Sequence, residues 1–193
     1  MTLEDDLDRQ RIDLTKAVGE CMLAWANVEL ELAQIFSLAV KSDILTIPDA
    51  MWSSIKSFDG KASMLHNVMR IRFEKNPVVS EDWNLLHEHV RKMSRWRNKI
   101  VHATMLSVEG KKMMLEPFFI MTQPGPHLSV DDVKLKTVDF QGLYAALMWF
   151  FGNAFAPPPK EIASKFPTPI PDLVLRLRSE AAKRRDEQQG RPK

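Results

Sequence analysis

The sequence has one cysteine and seven glycines in 193 residues, and each scarcity removes a class of chemistry. Cys21 alone builds neither an intramolecular disulfide framework nor a cysteine-rich zinc site, and it suits a reducing compartment. The glycines nowhere form G-x-G-x-x-G or G-x-x-x-x-G-K-S/T, and Gly60-Lys61-Ala62-Ser63 lacks the upstream glycine of a phosphate cradle. Rossmann and P-loop nucleotide chemistry drop out, and no cofactor is implied. The start, Met1-Thr2-Leu3-Glu4-Asp5-Asp6, is acidic where a leader would be basic then apolar, and no run of about 18 uncharged apolar residues follows. A cytoplasmic protein with no membrane partner is expected. The 27 Lys+Arg and 25 Asp+Glu leave a net charge of +2, too little for an indiscriminate polyanion binder. Any basic surface must be local.

The first hundred residues hold few breakers: Pro48, Pro77, Gly19 and Gly60. Leu14, Val18, Cys21, Trp25, Val28, Leu32, Ile35 and Ala39 alternate in steps of four and three, which predicts one apolar stripe on a long helix. Further helices are expected over Ala50–Phe58, Lys61–Phe73 and, capped at Ser80-Glu81-Asp82, Glu81–Val101. After His102 the period changes. Ala103–Val108 and Met113–Met121 flank Glu109-Gly110-Lys111-Lys112 and read as a β-hairpin. Pro124-Gly125-Pro126 ends it, and Asp139 caps a final core helix through Phe155. Pro157-Pro158-Pro159, Pro167, Pro169 and Pro171 make a stiff linker to a short helix, Leu173–Arg185, with Gln188–Lys193 disordered. The fold class expected is all-α: an up-and-down helical bundle with a small β-hairpin inserted before the last core helix.

Charge is uneven along this plan. Residues 160–193 carry a net +4 and residues 1–159 a net −2. Within the acidic body, Arg91, Lys92, Arg95, Arg97 and Lys99 put five cations and no acid into nine residues. Taken at about 100° per residue, Trp83, Leu86, Val90, Met93 and Ile100 form the buried stripe of that helix, and Arg97 projects into it. Arg91, Arg95, Asn98 and His102 form a second stripe on the polar face. Arg97 and His102 diverge by about 140°, so either the helix distorts near His102 or Arg97 meets groups from another helix or protomer.

The segment Arg97-Asn98-Lys99-Ile100-Val101-His102 places four residues between Arg and His and a polar residue directly after the Arg. It ends a helix, follows a long first helix carrying Trp25-Ala26-Asn27-Val28-Glu29, and precedes a hairpin. In these features residues 10–156 resemble bacterial members of the HEPN superfamily of small helical-bundle ribonucleases and their inactive relatives. The resemblance implies a HEPN-like domain over 1–156, with 157–193 as a proline-rich linker and basic tail. It also implies a homodimer acting on RNA as a metal-independent endoribonuclease, of toxin or defence type and open to control by a protein antitoxin or regulator. Cleavage then needs a base for the 2′-hydroxyl, an acid for the 5′-oxygen and a cation for the phosphorane. Two protomers supply two copies of His102 for the proton steps. Arg97 clamps the scissile phosphate, Asn98 orients His102 or a phosphate oxygen, and Arg91, Arg95 and Lys99 hold flanking phosphates.

Other readings stand beside this one. Arg97 pairs inside the protein with Glu29, beside the apolar stripe of the first helix, and His102 only terminates its helix; the chain is then an inactive nucleotide- or protein-binding module. Alternatively Leu173–Arg185 is a docking element for another protein. His87 and His89 point about 160° apart, unsuited to one metal. They, His66 and His127 read as surface or packing residues, and Glu81 and Asp82 as helix-start acids. Trp25, Trp52, Trp83, Trp96 and Trp149 are core or interface candidates.

Overall fold

The computed structural model describes residues 2–44, 46–117, 126–156 and 169–189. The chain is all-α with a hairpin insertion. Its helices are α1 (Leu3–Val40), α2 (Thr46–Ser54), α3 (Phe58–Arg72), α4 (Pro77–Val101), α5 (Val130–Phe155) and α6 (Asp172–Gln189). Strands β1 (Ala103–Val108) and β2 (Lys112–Pro117) lie between α4 and α5. The chain divides into two compact units: residues 1–27 with 92–141, and residues 28–91 with 142–193.

In the first unit, α1 opens with a reciprocal cap. The Thr2 hydroxyl accepts from the Asp5 N–H at 3.2 Å, and the Asp5 carboxylate accepts from the Thr2 N–H at 2.8 Å, which satisfies two end donors together. Those bonds hold the Asp5 carboxyl below its ordinary range. Leu14, Cys21 and Trp25 are buried as the periodicity requires, with Met93 and Ile100 of α4 and Val133 and Phe140 of α5. Trp25 meets Phe140 edge-on, ring centres 5.1 Å apart, a geometry aromatic quadrupoles favour. The antiparallel hairpin pairs Ala103 with Pro117 through Val108 with Lys112. Glu109 and Gly110 take φ of 53° and 67°, the left-handed pair of a type I′ turn.

In the second unit, Val28, Leu32, Ile35 and Ala39 continue the α1 stripe into a core with Leu65, Met69, Trp83, Leu86, Leu147 and Phe150. Aromatic contacts tie the helices: Phe36 to Trp52 at 5.4 Å, Phe73 to Phe155 at 5.4 Å and Trp83 to Phe150 at 5.6 Å. α6 belongs to this unit. Leu173 and Val174 are buried, and Arg178 grips Asp82 through Nε and Nη2 at 2.8 and 2.6 Å. Arg185 pairs with Glu81, and the Arg178 guanidinium lies 5.6 Å from the Trp149 ring centre.

Several boundaries differ from expectation for local reasons. α2 begins at Thr46, with Pro48 inside its first turn, where a missing N–H costs nothing. Gly60 does not separate α2 from α3. It sits in the first turn of α3, capped by Ser57, whose hydroxyl accepts from the Gly60 N–H at 3.1 Å. Pro77 opens α4 rather than closing α3, because the Asn76 side chain caps that end. Glu81 and Asp82 are therefore a turn further in and are ion-pair partners, not helix-start acids. α5 starts at Val130, nine residues before Asp139, because Ser129 and Asp132 form their own capping box. α6 includes Gln188 and Gln189. Residues 118–125, 157–168 and 190–193, with the expected end of the second strand and much of the proline-rich linker, lie outside the described residues. α1 holds an 18-residue window of mean hydropathy 1.2, long and apolar enough to cross a membrane by length and composition; 44% of that window is buried in the fold, which accounts for much of its apolar character.

Candidate functional site

The C-terminal half of α4 presents the cationic cluster. Met93 and Ile100 are buried, Arg95, Asn98 and His102 are exposed, and Arg97 is half-buried between the two faces. The helix does not distort before His102, whose N–H still bonds to the Asn98 carbonyl at 3.1 Å. β1 begins at the next residue, so His102 occupies the junction where helix gives way to strand.

Two of the neighbours of Arg97 are Trp25 and Asn98, both of the first unit. Its guanidinium carbon lies 5.9 Å from the Trp25 ring centre, and Nη1 donates to Asn98 Oδ1 at 2.9 Å. The contact to Trp25 is a cation–π interaction, which keeps a cation on the edge of an apolar stripe without full desolvation. The Asn98 amide is thus engaged with Arg97, while its main-chain carbonyl serves His102. Lys99 lies 4.6 Å from the centre of the half-buried Trp96 ring, and Lys136 of α5 lies 4.7 Å from it. Asp139 accepts from Lys136 at 2.7 Å and balances that charge.

Trp25, Asn98 and Arg97 come together, with Arg95, Lys99 and His102 along the same helix end. Arg91 is exposed and belongs to the second unit. Glu29, also of the second unit, is half-buried, whereas Glu31 is 5% exposed and burial pushes its carboxyl up. Cys21 is buried, and burial pushes its thiol up, as expected of an unreactive core cysteine.

The second unit holds a feature the separate reading of each histidine missed. His66 of α3 stacks on His87 of α4, ring centres 4.3 Å apart and planes within 19°. Trp83 continues the column 6.0 Å from His87. Burial, then the His66 and Arg91 charges, hold His87 down at about 4. Both histidines flank apolar stripes, His66 beside Leu65 and His87 beside Leu86, and that adjacency was the available signal. Comparison with known protein families, curated proteins and solved structures found no match.

Proposed function

We propose that the chain is a metal-independent endoribonuclease of HEPN type that acts as a homodimer through Arg97 and His102. The observation that carries this reading is the coupling of three side chains at one helix end. Arg97 is steadied by Trp25 and Asn98, and His102 stands exposed one helical turn beyond Asn98. A cation fixed in place stabilises developing phosphorane charge without reorganising during the reaction. The His102 imidazole of one protomer takes the 2′-hydroxyl proton as O2′ attacks phosphorus. The P–O5′ bond breaks, and the imidazolium of the second protomer delivers its proton to O5′. The products are a 2′,3′-cyclic phosphate and a 5′-hydroxyl. Arg95 and Lys99 extend a cationic track for flanking phosphates, and a protein antitoxin or regulator is the partner class that would restrain such activity.

The half-burial of Arg97 over Trp25 favours a second reading, an inactive HEPN-like nucleotide- or protein-binding dimer in which Arg97 only braces α1 against α4. The assay that separates them is cleavage of single-stranded RNA by the purified chain in excess EDTA, with analysis of product ends. Cyclic-phosphate ends from the wild type but not from His102→Ala support the enzyme. RNA binding without cleavage supports the second reading.

A further inference from the structure

The second unit stacks two imidazoles from different helices. His66 of α3 lies on His87 of α4 with ring centres 4.3 Å apart and planes within 19°, and Trp83, one turn earlier on α4, continues the column at 6.0 Å. Trp83 is buried and packs on Phe150 of α5 at 5.6 Å. Each ring of the column buries a nitrogen: among the described residues His66 Nδ1, His87 Nε2 and Trp83 Nε1 have no hydrogen-bond partner and no contact with solvent. A neutral imidazole can leave the buried nitrogen as a bare lone pair and keep its single proton on the other. An imidazolium has no such choice. Both of its nitrogens are donors, so protonation sets an N–H and a charge where nothing accepts them.

The charges that act on His87 oppose a proton. They are His66 across the stack and Arg91 one turn further along α4, and with burial they hold His87 down at about 4. Two imidazolium rings at the stacking distance would also repel each other. From α5 the column meets Phe150, an apolar ring. The Asp82 carboxylate, next to Trp83 in the chain, is engaged by Arg178 of α6 at 2.6 and 2.8 Å. Glu31 of α1 is buried in the same unit, and burial pushes its carboxyl up, toward the neutral form. His89 points about 160° away from His87 on α4.

We propose that the column of His66, His87 and Trp83 is a proton-sensitive latch between α3 and α4: the pair takes up a proton by parting its rings, which frees α3 while the rest of the fold stays formed. In the open state water satisfies both N–H groups of each imidazole, so opening and proton uptake favour one another. α3 is the element suited to yield. It has 15 residues, of which Ala62, Leu65 and Met69 are buried, and a helix with few buried apolar side chains opens at less than the global unfolding free energy. The latch would act whether or not the chain cleaves RNA.

The test is hydrogen exchange of the full chain, followed segment by segment between pH 7 and pH 5 and corrected for the intrinsic pH dependence of amide exchange. Opening of residues 58–72 should rise about tenfold or more over that range, because the closed column resists a proton that the open one accepts. The hairpin, residues 103–117, should not follow. His66→Phe and His87→Phe each keep a ring in the column and remove one site of protonation, so each should lessen the rise and the double variant should abolish it. Because Phe also removes an unpaired buried nitrogen, these variants should fold at pH 7. Exchange of residues 58–72 that is unchanged between pH 7 and pH 5 overturns the proposal. So does exchange that accelerates only in step with the hairpin, or that accelerates equally in the double variant.

Discussion

The Arg97 guanidinium lies 5.9 Å from the centre of the Trp25 ring while Nη1 donates to the neighbouring Asn98 side chain at 2.9 Å. The cation is held by an aromatic face and an amide on the first unit's own elements. One of the groups that position the residue assigned to the phosphate is thus an exposed amide, whose loss tests geometry apart from stability.

Asn98→Ala exploits that separation. Asn98 is exposed, so its loss should change stability by no more than about 0.5 kcal/mol. RNA cleavage should fall about tenfold or more, because misplacement of a positioning group is costly. Thermal melts and single-turnover rates on the same preparation check both parts. A full-rate Asn98→Ala protein would remove Asn98 from the mechanism.

Asp82 is 8% exposed and receives both Arg178 bonds. Asp82→Asn should lower stability by about 2 kcal/mol, a buried charged pair discounted for the 37% exposure of the Arg178 side chain. The loss should be local to α6. Hydrogen exchange of residues 172–189 should accelerate while the hairpin and the α4 terminus are unaffected; unchanged α6 protection would show that its other contacts, Leu173 and Val174 in the core and Arg185 with Glu81, suffice to anchor it.

The stacked His66 and His87 rings set a pH dependence. Burial, with the His66 and Arg91 charges, lowers His87 from 6.5 to about 4, so the folded chain resists a proton that the unfolded chain accepts. This contribution is fully present above pH 6.5 and is lost as pH falls through 6.5 toward 4. Denaturant midpoints should decline over that window in the wild type and decline less in His87→Phe, which keeps a ring in the column. An NMR titration of His87 centred near 6.5 would contradict the account.

Much of the fold is legible in the sequence because long helices repeat their pattern many times. Trp83, Leu86, Val90, Met93 and Ile100 were separable from Arg95, Asn98 and His102 by the 3.6-residue period alone. Helix starts were not, because caps depend on one or two residues. Asn76 ahead of Pro77 and Ser129 with Asp132 satisfy end donors that Ser80 and Asp139 could serve by residue type alone. Contacts between distant residues leave no local mark: Asp82 and Arg178 are 96 positions apart. Of the site, the residue types and their helix end were readable, and so was the strain of an arginine in an apolar stripe. The Trp25 ring beside the Arg97 guanidinium was not, since Trp25 already fitted the core pattern of α1.

The most direct measurement of the central claim is the single-turnover rate of single-stranded RNA cleavage in EDTA for the wild type, His102→Ala and Arg97→Met, with melting temperatures recorded alongside. The account predicts cyclic-phosphate products from the wild type and rates lower by about a hundredfold or more in each variant. It also predicts that His102→Ala, altering an exposed side chain, melts with the wild type. Equal rates in all three, or loss of activity only in step with loss of folding, would contradict it.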